Sequence, residues 1–370
     1  MMKKFLMMAV GALFVFGALT SCEGENDASD SAYYQTSDSE ILLPKTRGFV
    51  LCEGSWNGNN AHLTVFDYKT DTLVKEKLYN LQNKERPGDT GQDLFAYDRN
   101  LFMVLWGSSA IYRMNGAGVR KAYKLFTEDD GQPRYAVADN GYVYVTTYAS
   151  KIYKLKANNF DKEGMITLSS RPEQVALSNG KLYVVQPGAG DNYVYDNKMT
   201  IIDVDDFTVD ETVEVCYDPI KVFSTKNGAI FVIGYDVNYN AKIYRYYRDT
   251  KQVEEIGYGQ NAAVNGNTVY IVSSETDYTT TPYKTINTFY TYDAGMKTTN
   301  IIPFISGYPS KLDSEIVYSI GYNNYTGGIY IGTTDYTTKG TVYCFDSDGK
   351  YKTSFSAGGL NPSKFVFMNE

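Results

Sequence analysis

One histidine, His62, occurs in 370 residues. No site built on two imidazoles can exist in such a chain, which removes HExxH zinc proteases and multi-histidine metal centres. A Ser-His-Asp triad would have to use His62, which stands between Ala61 and Leu63 at the start of an apolar run and reads as a structural residue. Cysteine is scarce too, at Cys22, Cys52, Cys216 and Cys344. The last three lie far apart in strand-like segments, and their odd number argues for buried free thiols rather than a disulfide framework. Basic charge is in deficit, with 35 Lys and Arg against 43 Asp and Glu, so a nucleic-acid partner is not expected. Asp129-Asp130-Gly131 and Asp346-Ser347-Asp348-Gly349 resemble calcium-loop fragments but lack the remaining spaced oxygen ligands. They read as turns, and no metal or cofactor site is expected. Helical periodicity is nearly absent throughout.

The one long apolar run is Phe5 to Thr20, preceded by Lys3 and Lys4. Its length and position suit a signal peptide better than a membrane span. It ends in Leu19-Thr20-Ser21-Cys22, which resembles the lipobox of bacterial lipoproteins, so residues 1–21 are expected to be removed and Cys22 lipidated. Loss of Lys3 and Lys4 would take the net charge from −8 to −10. Residues 22–46 are rich in Glu, Asp, Ser and Asn and are expected to form a flexible tether. Glu23, Glu25 and Asp27 resemble the acidic signal that sends outer-membrane lipoproteins to the cell exterior, and that is the expected location.

What the chain has in quantity is tyrosine, 35 copies, together with 32 glycines. Tyrosine and threonine favour pleated surfaces and glycine punctuates turns, so the composition leans all-β. Two strings recur from residue 47 onward. The first is a turn residue followed by alternating apolar and aromatic residues, as in Gly141-Tyr142-Val143-Tyr144-Val145 and Gly180-Lys181-Leu182-Tyr183-Val184. The second follows it, as in Leu63-Thr64-Val65-Phe66-Asp67 and Val342-Tyr343-Cys344-Phe345-Asp346. Each occurs seven times, at a mean step of about 46 residues, which accommodates the four short strands of one propeller blade. Asn140-Gly141, Asn179-Gly180 and Asn227-Gly228 are the dipeptides of tight type I′ hairpins, expected between the innermost and second strands.

Repeats open with Pro133, Pro172 and Pro219, and the same opening returns at Pro362-Ser363-Lys364-Phe365-Val366-Phe367 just before the chain ends. The first repeat instead begins with its second strand at Gly48. Residues 47–370 are therefore predicted to form a seven-bladed β-propeller closed by the C-terminal strand, which removes the exposed sheet edges.

Trp56 and Trp106 are the only tryptophans and neither precedes Asp, so WD40 repeats and a set of tryptophan docking positions of the quinoprotein kind are both excluded. No Ser-x-Asp-x-Gly-x-Thr-Trp box of the sialidase type appears. The run Phe49-Val50-Leu51-Cys52-Glu53-Gly54-Ser55-Trp56-Asn57-Gly58-Asn59-Asn60, followed by Leu63-Thr64-Val65-Phe66-Asp67, resembles the YncE-like propeller lipoproteins with a DUF5074-type beginning. The resemblance covers residues 47–370, and its later motifs are generic blade strands. It implies a surface lipoprotein like the BtuG-type proteins, which capture cobalamin (vitamin B12) above a TonB-dependent outer-membrane barrel.

Strand alternation places the loops between second and third strands on one face, with the inter-blade connections. These loops are long and aromatic, and binding concentrates on such loops over a rigid scaffold. The expected ligand-binding residues are Trp56, Asn57, Asn60, Trp106, Tyr148, Gln186, Tyr193, Tyr195, Tyr235, Tyr239, Tyr278 and Tyr336. The uncharged amides among them suit a large ligand with many amides, or a glycan. Arg86, Arg134 and Arg171, near blade junctions, read as solvated rim charges. No pair of carboxylates is singled out, so no catalytic residue is assigned. The alternatives are a surface polysaccharide lyase or hydrolase, or a non-catalytic adhesion or scaffold propeller.

Overall fold

The computed structural model describes residues 33–188, 194–277, 279–281 and 284–369. Seven four-stranded antiparallel sheets form the blades of a β-propeller. The innermost strands of blades 2 to 7 are Gly91–Tyr97, Pro133–Asp139, Val175–Ser178, Pro219–Ser224, Asn261–Asn265 and Ile316–Tyr322. Blade 1 takes its innermost strand from the far end of the chain: Pro362–Asn369 pairs with Thr46–Cys52, from Thr46↔Asn369 to Cys52↔Pro362. The predicted ring closure is thus realised.

Each strand alternates, but both faces of a blade meet a neighbouring blade, so both are apolar. Phe102, Val104 and Ile111 of blade 2 pack on Val143, Val145 and Leu155 of blade 3. Val50, Cys52 and Phe66 of blade 1 pack on Tyr330, Val342 and Cys344 of blade 7, which seals the ring. Cys52, Cys216 and Cys344 are buried free thiols, and burial pushes Cys52 and Cys216 up to about 12. Gly48 is required where it stands, because a Cβ there would meet the Phe66 ring at 2.2 Å.

Turn chemistry follows the dipeptides at two of the three sites. Asn140 (φ 46) with Gly141 (φ 81), and Asn179 (φ 49) with Gly180 (φ 71), make two-residue type I′ connections. Asn227-Gly228 does not. There the strands part at Ser224↔Ile230, and the Asn227 side chain accepts the Thr225 hydroxyl at 2.6 Å to brace a longer loop.

Two local features depart from the expected organisation. A short helix, Leu78–Asn83, links blades 1 and 2 and buries Leu78, Tyr79 and Gln82. The expected tether, residues 22–46, is ordered over its last part: Tyr33–Tyr34 pairs with Leu43–Pro44. Leu43 is fully buried there with Ile41 and Tyr34 packed nearby, and the Gln82 amide donates to the Ser39 hydroxyl and the Ala117 carbonyl. Apolar and aromatic side chains among the acids gave this strap enough surface to bury. Cys22 and the signal segment lie outside the described residues. No helix among the described residues is long and apolar enough to cross a membrane.

Candidate functional site

Innermost strands run in one direction around the channel, so their first residues converge at one mouth. In five blades the pairing slips there: at Leu51/Cys52 opposite Pro362, Gly91/Asp93, Pro133/Ala136, Pro219/Lys221 and Val317/Ser319. Such bulges re-aim side chains. Here they present Gln92, Arg134, Lys221, Tyr318 and Lys364 to a cavity of about 1210 Å³.

The loops between second and third strands build the wall. Trp56, Trp106, Tyr148, Tyr235, Tyr239 and Tyr336, six of the expected residues, line the cavity. Trp56 is central in a turn closed by Gly58 N–H to the Ser55 carbonyl at 2.8 Å, which leaves the indole 72% exposed. Trp106 meets Tyr148 edge-on at 6.2 Å between centroids.

Four expected residues do other work. Asn57 is exposed at φ 59, the left-handed partner of Trp56 in the turn, and does not line the cavity. Asn60 accepts the Ser55 N–H at 2.8 Å and so holds the loop shut. Gln186 is fully buried, donating to the Ser170 carbonyl at 3.0 Å and accepting the Thr200 hydroxyl. Tyr195 packs on Tyr217 at 5.4 Å and does not line the cavity. Tyr193 and Tyr278 lie outside the described residues.

The floor was missed. Arg134 is no solvated rim charge: its side chain is 12% exposed and its Nε lies 3.1 Å from both oxygens of Glu173. A further nitrogen donates to Gln92 Oε1 at 2.6 Å, and the guanidinium sits 4.7 Å from the Tyr148 ring centre. Arg171 lies 4.7 Å from the same ring, whereas Arg86 is exposed as expected. Tyr148 donates its hydroxyl to Glu173 at 3.0 Å, and Lys364 pairs with Asp93 at 3.0 Å. Glu53, from the first blade's loop, accepts the Tyr318 hydroxyl at 2.5 Å, and burial raises its carboxyl above the usual range. Burial, with repulsion from Glu173, pushes Asp218 up to about 6. A signal for this floor existed: Arg134, Glu173, Lys221 and Lys364 stand one or two positions after the prolines that open the repeats.

His62 is far from catalytic use. It is 7% exposed, and its Nε2 accepts the Lys77 N–H at 3.1 Å. Among the described residues no group of three His, Cys, Asp or Glu side chains could hold a metal ion. The mouth offers stacking surfaces, amides and fixed charges, which are the means of recognition.

No family model matches the chain, and no curated protein matches it. Solved structures do. A quinoprotein alcohol dehydrogenase-like protein from Bacteroides thetaiotaomicron superposes with a TM-score of 0.60 at 14% identity, over 86% of this chain and 78% of that one. The WD40 domain of Neurospora crassa Pan2 gives 0.51 at 12% identity, over 76% and 79%. Streptogramin B lyase gives 0.52 at 12% identity, over 71% and 81%. At these identities the likeness is one of architecture: the chain is a seven-bladed β-propeller with quinoprotein-like and WD40-like propellers among its structural neighbours.

Proposed function

We propose that this propeller is a capture protein that holds a large, amide-rich ligand over its channel mouth, with cobalamin as the sharpest candidate. The observation that carries the reading is the cavity itself. At about 1210 Å³ it exceeds the ~300–1,000 Å³ typical of small-ligand pockets. Its rim is set with exposed aromatics, Tyr239 at 65% and Tyr336 at 55% beside Trp56. Gln92 and Gln174 add uncharged amide donors below them, their oxygens being taken by Arg134 and the Val222 N–H. No catalytic step belongs to this proposal.

Chain direction supports an outward-facing mouth. Thr46 pairs with Asn369 at the end of blade 1 opposite to Cys52 and Pro362, so the chain joins the propeller on the face away from the cavity. A lipid anchor at Cys22, with the protein facing the cell exterior, belongs to the same proposal. Handing the ligand to a TonB-dependent barrel is the remaining part of the proposal, suggested by the YncE-like, BtuG-type resemblance alone.

Calorimetric titration with cyanocobalamin at micromolar protein tests the reading. We expect saturable one-to-one binding, weakened by about 2 kcal/mol in Trp56→Ala as for an aromatic hot spot. Trp56→Ala should fold normally, because the indole is exposed. Binding of oligosaccharides instead would turn the reading to a glycan. Silence with both would overturn capture at this mouth.

A further inference from the structure

Among the described residues three cations line the mouth, and two of them are matched in place. Arg134 has Glu173, Lys364 has Asp93, and Glu53 has the Tyr318 hydroxyl. Lys221 has neither carboxylate nor phenol. Its Nζ donates to the Gln260 carbonyl and to Asn261 Oδ1, each at 2.8 Å and each neutral. An ammonium carries three donors, so these bonds leave one unspent. The ion pairs of the described residues do not include Lys221. Its side chain lines the cavity, aimed there by the bulge between Pro219 and Lys221.

Withdrawing a cation from water without a counter-charge is costly. Burial accordingly pushes the Lys221 ammonium down to about 8, helped by repulsion from Lys364 and opposed by attraction to Glu53. The two neutral acceptors come from the connection before blade 6 and its first strand residue, and they fix the head in position. The arrangement keeps a positive group at the floor of a binding cavity while supplying no anion for it.

We propose that Lys221 anchors an anionic group, a carboxylate or a phosphate, carried by the captured ligand. The assignment rests on the capture reading for the rest of that ligand and names the chemistry of one end of it. A lysine is a compact point charge that accepts either anion without a fixed fork geometry. The anion would approach between Lys221 and Lys364 and would have to keep clear of Glu53. That carboxylate is turned to Tyr318 by its hydrogen bond.

Nitrogen-15 NMR of lysine-labelled full-length protein tests this, with the Lys221 Nζ signal assigned by its loss in Lys221→Met. Sodium phosphate and sodium acetate are titrated separately against sodium chloride. We expect one of the two to shift the Lys221 signal saturably and to move its titration midpoint upward by about one pH unit or more. Anion affinity should fall about tenfold from pH 7 to pH 9, as the ammonium is lost. A response to phosphate alone names a phosphate ligand, and a response to acetate alone a carboxylate. A signal that neither anion moves beyond the chloride control overturns the assignment, and this arm needs only wild-type protein. Lys221→Met replaces the charge by an apolar chain of similar length, and its melting is checked before its binding is read. An anion response without cyanocobalamin or oligosaccharide binding would overturn capture and leave the anion site standing. Equal cyanocobalamin binding by wild type and Lys221→Met, with no anion response, would overturn the anion site alone.

Discussion

Removing residues 361–370 should cost the propeller most of its stability. The deletion strips Pro362–Asn369 from Thr46–Cys52 and exposes the freed strand edge to other chains. It takes Val366 and Met368 out of the apolar cluster they share with Phe49 and Leu51. It also removes the half-buried Phe365 and Phe367 from the group around Phe66 and Tyr330. Emptying buried aliphatic sites costs about 1–5 kcal/mol each, and a half-buried Phe about 2, so the loss reaches roughly 6–14 kcal/mol. Whole-domain stabilities are about 5–15 kcal/mol, so the deleted chain should be unfolded or aggregated at ambient temperature. Phe367→Ala is the milder form of the same perturbation. Its ring lies 5.0 Å from Tyr330 and 6.2 Å from Phe66, and its loss should cost about 2–3 kcal/mol. Urea unfolding followed by circular dichroism reads this as a lower midpoint at unchanged slope. Ile301→Ala, at an 80% exposed position, should stay within about 0.5 kcal/mol of wild type. A deletion variant with the wild-type urea midpoint would refute closure by this strand.

Burial pushes the His62 imidazole from 6.5 down to about 4, so below about 6.5 the unfolded chain takes a proton that the folded one refuses. Its contribution is complete above that value and drains by about 3 kcal/mol as the pH falls towards 4. The raised carboxyls of Glu53 and Asp218 act in the opposite sense, so His62→Gln is the reference; parallel pH profiles for the two proteins would contradict the assignment. If Cys22 carries the lipid, Cys22→Ala should lose labelled fatty acid and leave the membrane fraction while keeping the wild-type urea midpoint. Equal labelling of the variant would remove the anchor.

The blades were legible because their signals are local. A pair such as Asn140-Gly141 between alternating apolar runs encodes a hairpin within a few residues, and repetition multiplies it. The helix Leu78–Asn83 was not legible, since so short an element shows no sustained period and owes its form to the site where Leu78 and Tyr79 are buried. The strap at residues 33–46 hid for a related reason: its acids set the average, while Tyr34, Ile41 and Leu43 decide the packing. Aromatic walls of the mouth could be placed because strand alternation assigns whole loops to one face. Side chains such as Gln186 defeated the same logic, because a polar residue at the end of a strand satisfies Ser169, Ser170 and Thr200 as readily as it meets a ligand. The floor needed a different reading. A channel draws one or two residues from each blade, so Arg134, Glu173, Lys221 and Lys364 meet although scattered along the chain. Residues near each other in sequence are tied by turns, but these are tied only by their common position after an opening proline. In a propeller that position, compared across repeats, identifies the residues that share the channel, and here it separates a cation with a partner, Arg134, from one without, Lys221.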